Sequence, residues 1–194
     1  MQADAIYRMS NAIAREIKAA LDAGGHPNSI VVIGPPEDEN TKKAQLVLFP
    51  FKILPTPSLR NSERMLQPDA QGHVSTFQNS LPLDVFYLLT VGNPIVADSE
   101  VPMAPDSHLW LGLAMQALQS NPDFVGGQVD GDTVRVSLDS TSTEEMSRIW
   151  ALFPKADYLT SVVYVASPVW IDPLSAVIAP RVVDDRRLVG QRAE

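Results

Sequence analysis

Three histidines carry the most versatile chemistry in this 194-residue chain, because imidazole can ligate a metal or transfer a proton near neutral pH. His26 follows a helical pattern, His73 lies in a polar stretch, and His108 begins a second helical pattern. No two of them are four residues apart, and no nearby carboxylate completes a set of metal ligands. We therefore interpret all three as surface side chains and expect neither a metal nor a cofactor.

Other catalytic signatures are missing from the sequence as well. The chain has no cysteine, which excludes thiolate nucleophiles, disulfides and cysteine-ligated metals. The glycine doublets Gly24-Gly25 and Gly126-Gly127 match neither a P-loop nor a dinucleotide fingerprint, and no serine lies in a G-x-S-x-G elbow. The acidic clusters Glu37-Asp38-Glu39 and Asp184-Asp185 are typical of solvated charge runs. The sequence thus predicts that the protein is not an enzyme.

Two polar positions, Asp84 and Arg60-Asn61, stand out because of the apolar strand that begins near Asp84. Asp84 begins a strand that is apolar on both faces, and Arg60-Asn61 lies in the long loop upstream. A carboxylate in a covered strand requires hydrogen-bond donors, and a guanidinium is a suitable one. In one interpretation, Arg60 or Asn61 bonds Asp84 or nearby backbone and so pins the loop to the sheet. In the other, Asp84 lies at a solvated strand end, and the sequence leaves both open.

The charge balance restricts the partners. The net charge is −8 and the isoelectric point is about 4.8, whereas a nucleic-acid or anionic-membrane surface calls for a basic face. The N-terminal residues lack the pattern of a signal peptide, and no apolar run approaches the roughly 20 residues that span a bilayer. We expect no nucleic acid, no direct membrane insertion, and a cytoplasmic location.

Hydrophobic periodicity predicts the elements of the first half of the chain. Residues 4–22 form an amphipathic helix, and residues 30–33 and 45–53 form strands, with Pro50 at a sheet edge or a bulge. Residues 55–81 are rich in Pro, Ser, Asn and Gln, which predicts an irregular, mobile loop that becomes ordered against a neighbour. Residues 83–91 predict a central strand covered on both faces, because Leu83, Val85, Tyr87, Leu89 and Val91 share one face and Phe86 and Leu88 share the other.

The second half of the chain predicts two more helices and three strands. A helix follows Asp106 or Ser107, with Leu109, Trp110, Leu113, Ala114, Ala117 and Leu118 on its buried face. A hairpin spans 124–138 around Asp130-Gly131, a capping box at Ser142 and Glu145 begins a helix, and a strand covers 161–171. We predict an α+β domain with a mainly antiparallel sheet flanked by helices.

Four segments in fixed order carry a resemblance to a known family: residues 58–61 (SLRN), 81–90 (LPLDVFYLLT), 108–118 (HLWLGLAMQAL), and 142–150 (STEEMSRIW) leading into 161–165 (SVVYV). Together they resemble the cap, or tail-terminator, proteins of contractile injection systems, in particular the N-terminal domain type of the extracellular particles. One departure is the proline-containing strand Leu48-Phe-Pro-Phe51. Its local pairing is therefore in question.

The resemblance implies a phage tail-terminator-like fold and a structural role. It implies a homo-oligomer, a ring of six subunits, that binds inner tube and sheath proteins at the distal end of the particle and ends their polymerisation. Assembly would be cytoplasmic, with release in an extracellular particle left open. Residues 1–173 would form the cap domain and residues 174–194 a tail. The expected assembly residues are Arg60, Asn61, Asp84, Tyr87, Trp150, Tyr164, Arg181, Arg186 and Arg187.

Two alternatives to the cap remain at this point. One is a baseplate or tube adaptor of the same particle, and the other is an enzyme or small-molecule binder built around Asp84, Arg60 and Tyr87. The tail is also open to two interpretations. Its apolar pairs Val182-Val183 and Leu188-Val189 could add a strand to a neighbouring subunit, or the tail could fold back on its own domain.

Overall fold

A six-stranded sheet organises the computed structural model, which describes residues 4–60, 64–65, 75–77, 79–92, 106–129, 132–173 and 177–178. Its strands take the order β1-β2-β5-β8-β7-β6, and β3, β4 and β9 form a second, three-stranded sheet. The strands are β1 (Val31–Ile33), β2 (Leu46–Pro55), β3 (Arg64–Met65), β4 (Ser75–Phe77), β5 (Leu81–Val91), β6 (Asp123–Val125), β7 (Thr133–Leu138), β8 (Ser161–Ile171) and β9 (Val177–Ile178). The helices are α1 (Ala5–Ala23), α2 (Asp106–Ser120) and α3 (Thr143–Trp150).

The predicted α+β class with a mainly antiparallel sheet is confirmed. β1 runs parallel to β2, and the other described pairs of the large sheet are antiparallel, which makes the sheet mixed. β5 lies between β2 and β8, as expected for a strand without a polar face. Its residues alternate between two apolar clusters, so both faces of the sheet are covered.

The larger cluster lies between the sheet and helices α1 and α2. α1 buries Met9, Ile13, Ile17 and Leu21 completely, which follows from their spacing of four residues along one face. β5 contributes Leu83, Val85, Tyr87, Leu89 and Val91, the set predicted to share a face. The smaller cluster covers the other face, where Leu88 and Val163 pack beneath Met146, Ile149, Trp150 and Phe153 of α3 and the turn after it.

Pro50 lies at a bulge, as predicted. The register between β2 and β5 shifts between Pro50 and Lys52. β1 pairs only with residues 46–48 of β2, so in the described part of the chain no strand lies beside Pro50 on the outer side. Proline has no amide hydrogen to donate, and at this position no neighbouring strand needs one, so the sheet loses no hydrogen bond.

One detail of the predicted second helix is wrong. On α2, Leu109 is exposed and Leu111 is buried, so the buried face of the helix lies one position away from the predicted face. β6 and β7 form the expected hairpin, in which Val134 and Val136 are buried and Leu138 at the end of β7 is exposed. The predicted turn residues Asp130-Gly131 lie outside the described residues.

The stretch predicted to be irregular contains short strands. β3 and β4 pair with each other, and β4 also pairs with β9, which begins four residues into the predicted tail. Residues 61–63, 66–74 and 78 lie outside the described ranges, so the mobility of this segment remains a prediction. The described ends of the loop and the tail thus meet in one small sheet.

Candidate functional site

The Asp84 carboxylate is held by two hydroxyl groups. Thr56 Oγ1 donates to Asp84 Oδ1 over 2.6 Å, and Ser167 Oγ donates to the same oxygen over 2.5 Å. Arg60 is exposed, and no hydrogen bond joins it to Asp84 in the described part of the chain; Asn61 lies outside that part. The start of the long loop is therefore attached to the sheet, as one interpretation held, but through Thr56.

Irregular pairing brings these groups together. The register between β5 and β8 shifts near Asp84, so Ser167 can approach it from the neighbouring strand. The backbone supports the same attachment, because Thr56 N donates to Pro82 O over 2.9 Å. Both hydroxyls donate, so the half-buried carboxylate has a hydrogen-bond donor from the start of the loop and another from β8.

Tyr87 lies on the other face of the sheet, away from Asp84. Its hydroxyl is 3.1 Å from Ser10 Oγ on α1, and Ser10 Oγ donates its one hydrogen to Ile6 O over 2.8 Å. The tyrosine is therefore the donor to the serine. Burial raises the pKa of Tyr87 to about 12, so the phenol stays protonated.

Tyr87 and Tyr164 are direct neighbours across β5 and β8, and burial raises the pKa of Tyr164 as well. The two phenols therefore extend the core of the α1–α2 face. Together with the position of Asp84, this arrangement separates the three residues of the enzyme alternative, Arg60, Asp84 and Tyr87, and leaves them no common pocket among those described.

Trp150 anchors α3 to the opposite face. Its ring packs edge-on against Phe153 and Tyr158, with centroid distances of 6.0 and 5.5 Å. The Trp150 Nε1 atom is buried without a hydrogen-bond partner among the described residues. Tyr158 is largely exposed, so this aromatic group continues onto the surface.

A buried ionic cluster around Arg64 was missed by the sequence analysis. Arg64 bonds both Asp132 and Asp172, and its Nε lies 3.2 Å from Asp132 Oδ1. Ser80 Oγ donates to Asp172 Oδ1 over 2.6 Å. The side chains of Arg64 and Asp172 are 3% and 0% exposed, respectively. This cluster attaches β3 to the residue preceding β7 and to the residue following β8.

No local pattern could have revealed that cluster, because its members come from distant parts of the chain. Arg64 lies in the segment predicted to be an irregular loop, and Asp132 and Asp172 lie 68 and 108 positions away. The expected assembly residues Arg181, Arg186 and Arg187 lie outside the described residues.

The described residues hold no group of three or more metal-ligating side chains of the His, Cys, Asp and Glu types. Within the same ranges, no helix combines the length and the apolar character needed to cross a bilayer. The described site residues have one thing in common: each of them attaches one element of the fold to another.

A family model for the Pvc16 N-terminal domain matches residues 8–185. This chain belongs to that family. The match covers nearly the whole chain and includes every described helix and strand except the first three residues of α1, together with residues 179–185 of the predicted tail.

Two solved structures share the fold of this Pvc16 N-terminal domain. One is the PVC sheath/tube terminator of an extracellular contractile injection system in the extended state, with 16% identity, a TM-score of 0.54, and coverage of 92% of this chain and 62% of the other. The second is the anti-feeding prophage cap, described as the AFP tube terminating cap, with 16% identity, a TM-score of 0.55, and coverage of 93% and 60%. No curated protein matches the chain.

This chain spans about three-fifths of the length of those two structures. At 16% identity the likeness concerns the fold, which confirms the expected tail-terminator-like architecture.

Proposed function

We propose that this protein is a structural, non-enzymatic cap of a contractile injection system, which binds the distal end of the inner tube and sheath and ends their polymerisation. The observation that carries the proposal is the family match over residues 8–185. The fold shared with a sheath/tube terminator and a tube terminating cap supports it.

The physics of stacked assemblies supports a need for such a protein. Head-to-tail contacts between identical subunits extend without limit unless another surface blocks one end. A cap needs one surface that fits the stack and another that does not repeat it. We expect a homo-oligomeric ring, because a closed ring can cover the whole end of a tube, and the resemblance to the cap proteins implies six subunits.

The described side chains fit a scaffold. Asp84, Tyr87 and Arg64 are each engaged in contacts that join separate elements of the fold. Because these contacts hold the elements together, they would also fix the relative positions of the surfaces that a ring subunit presents to its partners. We expect assembly in the cytoplasm and partners among the tube and sheath proteins, with no nucleic acid.

Deleting the gene tests this function directly. Particles from the deletion strain should show tubes and sheaths of variable and greater length in electron micrographs, and a plasmid copy should restore the uniform length. A tagged copy should be labelled at the end opposite the baseplate. Label at the baseplate would favour the adaptor alternative, and unchanged particle length without label at either end would refute a place in the particle.

A further inference from the structure

An open groove of about 570 Å³ separates helix α1 from the edge strand β1. Its helix wall includes the short side chains of Ala14 and Ala19, which leave space beside the strand. Its charged lining residues are Arg15, Lys18 and Asp22 on the helix, and its apolar residues on the strand side are Ile30, Val31 and Ile33.

The strand side of the groove is an unpaired sheet edge. β1 pairs with β2 on its inner side, and no described strand lies on its outer side. Ile30 and Ile33 are 49% and 37% exposed at this edge. A free edge beside an apolar groove is the arrangement in which an extended peptide adds as a further strand.

The helix side of the groove carries an excess of positive charge. Arg15 is exposed and has no ion-pair or hydrogen-bond partner among the residues that the structure describes. Lys18 pairs with Asp22 and also donates to Pro27 O over 3.0 Å. An incoming strand therefore meets one uncompensated cation, which favours a segment with both apolar and acidic side chains.

We propose that this groove binds the Val182-Val183-Asp184-Asp185 segment of a second copy of this chain, as a strand added to β1. In an extended segment alternate side chains face the same way. Whichever set faces α1, it contains one valine for the apolar edge and one aspartate for Arg15. The family domain includes this segment, since the match extends to residue 185.

The position of β9 favours a second copy over the chain's own tail. β1 lies level with Leu89 to Val91 of β5, whereas Arg64 attaches the small sheet beside Asp172, level with Leu81. These levels are about 27 Å apart at the rise of a strand. The four residues from Ile178 to Val182 reach about 14 Å when fully extended, which is about half of the distance between β1 and the point where the small sheet is attached through Arg64.

Engineered cysteines provide the test, because the chain has no cysteine of its own. One full-length copy carries Ile33→Cys and a second, tagged copy carries Val183→Cys. Mild oxidation of the mixture should form the mixed disulfide at least ten times faster than a control mixture in which the first copy carries Val125→Cys. Val125 is a fair control because it is 58% exposed on β6, the opposite edge of the sheet.

Charge reversal tests the recognition itself. Arg15→Glu with Lys18→Glu in the first copy should lower cross-linking to the control rate, as should Asp184→Arg with Asp185→Arg in the second. Combining both changes should restore it. Circular dichroism should be unchanged, since both groove cations are surface residues.

Cross-linking at the control rate would overturn the proposal, and so would indifference to charge reversal. A chain with both cysteines that closes on itself, without forming dimers, would show that the tail occupies its own groove and would equally overturn it. This inference rests on the proposed self-association but not on capping. Loss of capping with cross-linking intact would refute the cap alone, and loss of cross-linking in particles of normal length would refute the groove alone.

Discussion

Arg64 and Asp172 lie 108 positions apart and form an ion pair in which both side chains are almost completely buried. The pair is completed by Asp132 and Ser80, so each charged group has polar partners. Removing one member of such a cluster leaves the opposite charge buried without a partner. The free-energy cost of that unpaired charge exceeds the net stabilisation that the intact pair provides. The small sheet therefore depends on the cluster for its attachment to the large one.

Replacing Arg64 should destabilise the protein strongly. We expect Arg64→Met to lower the free energy of unfolding by about 3–5 kcal/mol in urea titrations, because Asp172 would remain buried. The matched control is Arg148→Met, which removes an exposed pair with Glu144 on α3 and should cost less than about 0.5 kcal/mol. Equal effects of the two substitutions would show that the buried cluster has no special role.

Asp84 should also contribute to stability, through Thr56 and Ser167. We expect Asp84→Ala to lower the free energy of unfolding by about 1–3 kcal/mol, since two hydroxyl donors lose their acceptor. Arg60→Ala should change it by less than about 0.5 kcal/mol, because that side chain is exposed. If Asp84→Ala unfolds at the same urea concentration as the wild type, the carboxylate does not attach the loop to the sheet.

The elements that the sequence predicted well are those with a strong local period. β5 alternates between two apolar clusters as its pattern indicates, and the capping box of α3 occurs with the expected geometry at Ser142 and Glu145. Both signals arise from residues within one turn or one strand of each other, so no tertiary information is needed to detect them.

What the sequence could not predict depends on pairing over long distances. The polar composition around Arg64 indicates a loop, and its strand β3 forms because β4 and the buried carboxylates are present. The parallel pairing of β1 with β2 likewise depends on the path of the connection between them. The two hydroxyls at Asp84 were not foreseen for the same reason, since Thr56 and Ser167 reach Asp84 where the pairing of β5 and β8 shifts its register, while the suggested partner Asn61 lies outside the described residues.

The stability of the fold should fall at alkaline pH because of Tyr87. The pKa of Tyr87 is raised from 10.0 to about 12 in the folded state. The contribution of Tyr87 to the free energy of unfolding is therefore complete below pH 10 and is lost as the pH rises through 12. The difference corresponds to about 2–3 kcal/mol. Unfolding of Tyr87→Phe should depend less on pH in this window, with Tyr164 accounting for part of the remaining slope.

That substitution also has a cost at neutral pH. Tyr87→Phe removes the bond to Ser10 but leaves the Ser10 hydroxyl bonded to Ile6 O, so the loss should be about 1 kcal/mol. An unchanged alkaline slope in the variant would assign the pH dependence to other groups.

The N-terminal cap of α3 should make the protein less stable as the pH becomes acidic. Backbone and side-chain hydrogen bonds from Ser142, with smaller contributions from nearby cations, hold the pKa of Glu145 below its ordinary value. The contribution of Glu145 to the stability of the fold is therefore present above the pKa that Glu145 has in the unfolded chain. It is lost as the pH falls through the lower pKa that Glu145 has in the folded state. Ser142→Ala should cost about 1 kcal/mol at neutral pH and should weaken this acid dependence, as measured by thermal unfolding between pH 3 and pH 7.

Shortening the chain should separate folding from assembly. β9 pairs with β4, so a chain that stops at Ile178 retains every described strand, whereas a chain that stops at Pro173 also loses the edge of the small sheet. We expect the first to unfold within about 1 kcal/mol of the full chain and the second to be less stable, because two strands alone form a marginal sheet. In particles, the chain ending at Ile178 should still fold but should fail to limit tube length in electron micrographs. If removing residues 179–194 instead unfolds the protomer, those residues belong to its core and their assignment to assembly is wrong.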